Sequence, residues 1–470
     1  MKAHLVAGAA LIAASASTAV LGNTTGLTGG GQPFDNLQPS LPVTEVVPFA
    51  GIFPSRDSGS ATGDTLGFVY DFAGNFAPNG TFAAQGQLLP ISTNTALFSL
   101  LGTTYGGNGI NTFALPNLQG TAAIGVGTGP GLASRTLGET VGSTTTTLTT
   151  AQIPPHAHTL SGGGVTGTTG GGQPFNNMQP SSTLQPVIAV SGIFPSRSGG
   201  GGSAAFIGQV ANFAGNFAPA GWLPADGRLL QIQTNTALFS ILGTTYGGNG
   251  VTTFALPDLR GRIAIGADAA IPLGSTSGQE STSLNVSQLP AHDHTLPGGG
   301  VSGNTGGGQP VGNEQPSLAL NYLIATSGIF PSRPPSGAGF DENAPTLGQI
   351  TEFAGNFAPS GWAFADGSLL PISTNQALFA LIGTQYGGNG VTTFALPDLR
   401  GRALLGTGGN YSIGDTFGTD ATFLTVANLP AHDHTLPVPE PASVLLLGAG
   451  LLGLAFSRRY ARHGVKVARK

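Results

Sequence analysis

Six of the chain's eight histidines stand in three copies of one tripeptide: His156 and His158 in "PPHAHTL", and His292 and His294, then His432 and His434, in "PAHDHTLP". In an extended backbone, residues i and i+2 face the same side, so each His-x-His aims two imidazoles one way. A polar loop pair is the ordinary meaning of one copy; three copies in a histidine-poor chain point to ligands. Six neutral imidazoles converging on one point would suit an octahedral first-row divalent ion. Nitrogen donors favour iron, nickel, cobalt or zinc over magnesium or calcium. Such a site is closed, so its expected role is structural rather than catalytic. Asp293 and Asp433, between the paired histidines, should face away, and Ala157 replaces them in the first copy.

Other chemistry is sparse. No G-x-S-x-G or H-E-x-x-H motif occurs, and cysteine is absent, which excludes disulfides and thiolate chemistry. "GGGVTG" and "GGGVSG" fit a dinucleotide fingerprint by letter only and read as linker. "DGRLL" and "ALPDLRGR" place Asp226, Asp258, Arg260 and Arg262 in the second copy of a repeat, and Asp366, Asp398, Arg400 and Arg402 in the third. The first copy has Gln85, Asn117, Gln119 and Thr121 instead. Carboxylates and guanidiniums vanish together, which reads as a structural ion-pair network pinning two loops rather than a catalytic carboxylate pair.

Charge narrows the partners. Between Gly22 and Pro437 there are 20 acidic residues, nine arginines and no lysine, a net charge of −11. Such a body is a poor match for phosphate backbones, so nucleic acid is not an expected partner. The basic residues crowd the end: Arg458, Arg459, Arg462, Lys466, Arg469 and Lys470. Residues 1–22 read as a secretory signal peptide, with an apolar run from Leu5 to Ala14 and small residues after it. At the other end, Val438-Pro439-Glu440-Pro441 precedes a short apolar stretch, Ala442–Phe456, and then the arginines. The segment 438–470 resembles the PEP-CTERM sorting signal. That resemblance implies export in a Gram-negative bacterium, partners in signal peptidase and an exosortase-type enzyme, and a surface or matrix destination. The C-terminal segment would contact the membrane before processing.

The interior repeats. "FAGNFAP" begins at 72, 213 and 353, "YGGNG" at 105, 246 and 386, and "TFALP" at 112, 253 and 393. A period this long means three copies of one domain rather than a solenoid. Each copy reads as short strands around one two-turn helix: in "STNTALFSLLG", Ser92, Thr93 or Asn94 can cap, Leu97, Leu100 and Leu101 recur at helical spacing, and Gly102 stops it. The class is mainly β with short helices, an α+β arrangement. Spacing is fixed between each His-x-His and the next "GGGQP" but varies after "IFPSR", so the natural unit ends at "PSR". The expected division is 66–197, 207–333 and 347–436 for three units, with an orphan tail at 28–56 that completes the third.

These strings, above all "FAGNFAPAGWLPADGRLL", "ALFSILGTTYGGNGVTTFALPDLRGR" and "LPAHDHTL", resemble the phage tail collar family and its microcystin-dependent-protein-like members. The family forms trimeric tips of tail fibres, where His-x-His pairs from three chains meet around a metal ion. One chain here supplies all three pairs, which implies a monomeric pseudo-trimer holding a structural divalent transition metal. The resemblance points to a non-enzymatic exported protein with a structural or adhesive role and a surface glycan or protein as ligand. A secreted polysaccharide-processing enzyme and a component of a contractile tail-like apparatus are the alternatives.

Overall fold

The computed structural model describes residues 24–56, 65–197, 205–332 and 345–437. The signal peptide and the sorting segment, with Val438, Pro439, Glu440 and Pro441, lie outside the described residues. Among those described, no helix is long and apolar enough to cross a membrane.

Nine strands organise the fold: β1 (Ser40–Pro48), β2 (Phe68–Phe72), β3 (Ala122–Gly125), β4 (Ser181–Ala189), β5 (Gln209–Phe213), β6 (Ile263–Gly266), β7 (Ser317–Ala325), β8 (Gln349–Phe353) and β9 (Ala403–Gly406). The three nine-residue strands β1, β4 and β7 are buried on both faces almost throughout. This suits their apolar and small residues, because a strand covered on both sides need not alternate.

Each long strand has two partners in succession. Its first half pairs in parallel with the last strand of one copy: β1 with β9, β4 with β3 and β7 with β6. Its second half pairs antiparallel with the first strand of the next copy: β1 with β2, β4 with β5 and β7 with β8. The strands β2, β5 and β8 also pair with one another, each with both of the others. The three copies therefore close into a ring within one chain. Segment 28–56, expected to serve the third unit, gives that copy Thr28, Gly31, Gln32 and Leu37, which bond its last loops, and the first half of β1, Ser40 lying opposite Ala403. The second half serves the first copy, with Glu45 opposite Asp71. A nine-residue strand is roughly 30 Å long, enough to span two neighbours.

Side chains lock the same ring. Gln38, Gln179 and Gln315 form a cycle in which each backbone N–H donates to the next Oε1, at 3.2, 3.0 and 3.0 Å. Tyr105, Tyr246 and Tyr386 each donate to a carbonyl of the following copy: Ala214, Ala354 and Ala73. The "PSR" ends reach further: the Ser55 carbonyl accepts from Ala220 and the Arg56 guanidinium lies 4.7 Å from the Phe217 ring centre, both in the second copy.

The helices form as expected at α1 (Thr95–Leu101), α2 (Thr236–Leu242) and α3 (Gln376–Ile382), and Leu97, Leu100 and Leu101 are buried. The expected side-chain cap is not made. Asn94 instead turns its amide back to the Pro90 carbonyl and Thr93 Oγ1, bracing the turn that feeds the helix.

Candidate metal centre

The three His-x-His segments arrive from loops rather than from sheet strands. Each is held by one pair of backbone bonds to a threonine: His156 to Thr169, His292 to Thr305 and His432 to Thr28. The register is tightened by hydroxyls. Thr166, Ser302 and Thr25 accept from the backbone N–H of His158, His294 and His434, each at 3.0 Å. In the third copy the two supporting residues, Thr25 and Thr28, come from the start of the described chain.

All six imidazoles are buried, at most 4 % exposed. His156, His292 and His432 form a triangle with Nε2 separations of 3.2, 3.3 and 3.3 Å. His158, His294 and His434 form a second layer, with ring centres 4.7 Å apart on all three sides. Every Nδ1 meets a carbonyl oxygen. In the first triangle the acceptors are Pro154, Pro290 and Pro430, two residues before each histidine. In the second they are Gly303, Gly26 and Gly167, each supplied by another part of the ring.

These acceptors fix the tautomer. A carbonyl can only accept, so each Nδ1 holds the proton and each Nε2 turns a lone pair inward. Three lone pairs 3.2–3.3 Å apart cannot bond one another, and His158, His294 and His434 leave Nε2 buried with no partner. A cation among them would resolve the arrangement. Protons are disfavoured: burial first, and neighbouring imidazoles after it, push His156 down to about 3 and His292 and His434 to about 4. His158 and His432 are lowered by the same causes. The centre of a 3.3 Å triangle lies about 1.9 Å from its corners, close to the roughly 2.0–2.1 Å of a metal–imidazole bond. Carbonyl-oriented imidazoles are the usual outer support of a metal ligand. The cluster can hold a metal ion.

The glycine-rich stretches read as linker belong to this centre. A Cβ on Gly26, Gly167 or Gly303 would stand 2.0, 1.9 or 2.0 Å from the hydroxyl of Thr295, Thr435 or Thr159 in another copy. Only glycine allows that approach, and its carbonyl then reaches the histidine. The signal lay in the recurring "TGLT", "TGTT" and "SGNT" at 25–28, 166–169 and 302–305, a hydroxyl residue, a glycine and a threonine at constant spacing.

The aspartates and arginines stand elsewhere and differ from the expected loop-pinning network. Arg260 pairs with Asp258 and Arg400 with Asp398 within their own turns, at half-exposed positions. Asp226 pairs with Arg228, and Asp366 accepts from Ser368. Arg262 Nη1 lies 3.5 Å from the Arg260 carbonyl, and Arg402 acts on Asp398 through its charge. What joins the two loops is backbone: Asp226 bridges Asp258, Asp366 bridges Asp398, and Gln85 bridges Asn117 in the first copy. The join survives there without any charge, which is why the side chains could be replaced together.

The profile described as the Phage Tail Collar Domain matches residues 67–123, 208–264 and 348–404. The chain carries three phage tail collar domains. A PEP-CTERM protein-sorting motif matches residues 437–459. The three collar matches end before the His-x-His segments, so the metal centre rests on the geometry above. No curated protein and no solved structure matches the chain.

Collar domains are structural rather than catalytic, and a PEP-CTERM signal marks export and surface association in Gram-negative bacteria through an exosortase-type sorting system. Together they describe an exported, phage-tail-like structural protein.

Proposed function

We propose that this chain is a non-enzymatic surface or matrix protein whose three collar domains are locked into one rigid head by a structural transition metal. The observation that supports this reading is the six inward Nε2 lone pairs, each fixed by a carbonyl on the opposite ring nitrogen. His156, His158, His292, His294, His432 and His434 would hold the ion with no position left for a substrate. Six nitrogen donors suit iron, nickel or cobalt better than zinc, whose structural sites are four-coordinate. The ion would join the three copies at one point, as the glutamine cycle joins them at another.

The head would serve adhesion, binding a surface glycan or protein, and the sorting segment would bring it to the membrane for processing near Val438–Pro441. The test is to incubate the purified protein with matrix polysaccharides of its host. Retention of polymer at unchanged length supports the reading. Shortened products would replace it with a polysaccharide-processing enzyme.

A further inference from the structure

Gly120, Gly261 and Gly401 hold one position in the three copies, two residues before β3, β6 and β9. The preceding copy in the ring covers two of them. A Cβ at Gly120 would meet the Tyr411 ring at 2.6 Å, and one at Gly261 would meet Leu132 Cδ1 at 3.2 Å. At Gly401 it would meet Asp268 Oδ2 at 3.5 Å, and among the described residues nothing else beyond its chain neighbours lies within 4 Å. Ile271 stands where the third copy has Tyr411, three residues before a shared glycine, and does not reach. The junction of the second and third copies is therefore open. Gly401 donates its N–H to the Gly266 carbonyl at 2.8 Å, and beside that bond lies a cleft of about 190 Å³. Gly266, Asn321, Phe364, Asp366 and Arg400 line it.

Backbone register fixes the lining. Phe364 lies opposite Leu323 of β7, two residues after Asn321. Asp366 bridges Asp398, two residues before Arg400, and Arg400 bridges Gly266 of the second copy. Each polar side chain keeps bonding capacity. Asp366 Oδ1 accepts from the Ser368 backbone and hydroxyl, which leaves Oδ2 to accept. Arg400 gives Nε and Nη2 to Asp398, which leaves Nη1 to donate. Asn321 donates its amide to the Gly355 carbonyl and keeps Oδ1 as an acceptor. None of these charges is needed to join the two loops, because the Gln85–Asn117 bridge does so in the first copy without any. The equivalent junctions lack the set. One has Thr44, Ala83, Gln85 and Gln119; the other has Gln185, Pro224 and Arg260, with Asp226 held on both oxygens by Arg228.

We propose that this cleft, between Asn321, Phe364, Asp366 and Arg400, binds one neutral sugar ring of a surface or matrix polysaccharide. The proposal rests on the adhesive reading above and gives it a site. The cleft is smaller than the roughly 300–1,000 Å³ of drug-sized pockets, so it takes a single ring. An apolar side chain beside two acceptors and a donor suits a pyranose. Its C–H face covers Phe364, and its hydroxyls, which both donate and accept, serve Asp366, Asn321 and Arg400. An anionic ligand is disfavoured, because Asp398 already matches Arg400, and Asp366 and Asp268 add negative charge beside it. The site exists once per molecule because one chain can vary equivalent positions of a threefold ring, which three identical chains cannot.

The test mixes the full chain with methyl pyranosides of glucose, galactose, mannose, xylose and rhamnose, and reads saturation transfer from protein to sugar by proton NMR. Retention of polysaccharide is measured in parallel. The cleft requires transfer to at least one neutral pyranoside. It also requires at least tenfold weaker binding in Asp366→Asn and in Ile271→Tyr, which installs the residue that covers the first junction. Arg400→Gln replaces Ile271→Tyr if that variant fails to fold. No transfer to any neutral pyranoside, or transfer unchanged in the variants, would overturn the cleft; polymer still retained would then leave adhesion standing on another surface. Transfer to a glucosamine pyranoside alone would overturn it in favour of a cationic ligand. Transfer that the variants lose, with no polymer retained, would support the cleft and remove adhesion.

Discussion

The imidazoles are a two-layer cluster in which every ring nitrogen has an assigned task. His292→Ala/His294→Ala removes one imidazole from each layer. It should lower the melting temperature of the metal-loaded protein and abolish the loss that chelator causes in wild type. Identical melts with and without chelator in both proteins would exclude a metal lock. The pH dependence has a defined sign. The folded values, about 3 for His156 and about 4 for His292 and His434, lie below the ordinary 6.5. As pH falls, the unfolded chain therefore binds protons first. The contribution of these rings is fully present above about pH 6.5 and is lost as the pH falls towards 4. The buried Glu45, Asp71 and Glu352, whose carboxyls are pushed upward by burial, act with the opposite sign, so the test is a difference. Between pH 7.5 and pH 5 the denaturant midpoint of metal-free wild type should move down relative to that of metal-free His292→Ala/His294→Ala, and an upward relative move would contradict the burial of these rings. At Gly167, alanine should destabilise by about 1–3 kcal/mol, the usual cost of overpacking, because its Cβ meets Thr435 Oγ1. The histidines were legible in the sequence because rarity and repetition coincide. The glycines were not, since a carbonyl acceptor leaves no side-chain signal, and only the repeated hydroxyl–glycine–threonine spacing betrays them.

Among the elements, the helices were readable from leucine spacing and a terminal glycine, whereas the cap at Asn94 was misjudged. A side-chain amide can bond forward into a helix or back into the preceding turn, and sequence does not say which. The long strands were harder. Glu45 interrupts β1, Gln185 and Pro186 interrupt β4, and Asn321 and Tyr322 interrupt β7. Those positions mark where each strand exchanges its parallel partner for an antiparallel one, a long-range event with no local signature. Because β1 serves two copies, deleting residues 24–56 should weaken the third and first copies together. Hydrogen exchange should then rise at β9 and β2 before β5 and β6. Faster exchange confined to β9 would mean that the segment completes one unit only.

For the whole molecule, tandem repetition announced three domains, and fixed against variable spacing announced the joints. The ring itself follows from an odd arrangement: the first segment supplies what the third His-x-His lacks, with Thr25 and Thr28 in the roles of Thr166 and Thr169. A closed ring leaves no collar strand seeking another chain, so the purified protein should sediment as one chain rather than three. The unit boundaries at 66–197, 207–333 and 347–436 are a matter of convention in such a ring, since each long strand belongs to two copies. The most direct test of the account combines sedimentation with elemental analysis on the same purified, full-length sample. A single 46.8 kDa chain holding one iron, nickel, cobalt or zinc ion, which His292→Ala/His294→Ala loses, is the expected result. Three chains per particle, or a monomer without any such ion after growth in metal-replete medium, would contradict it.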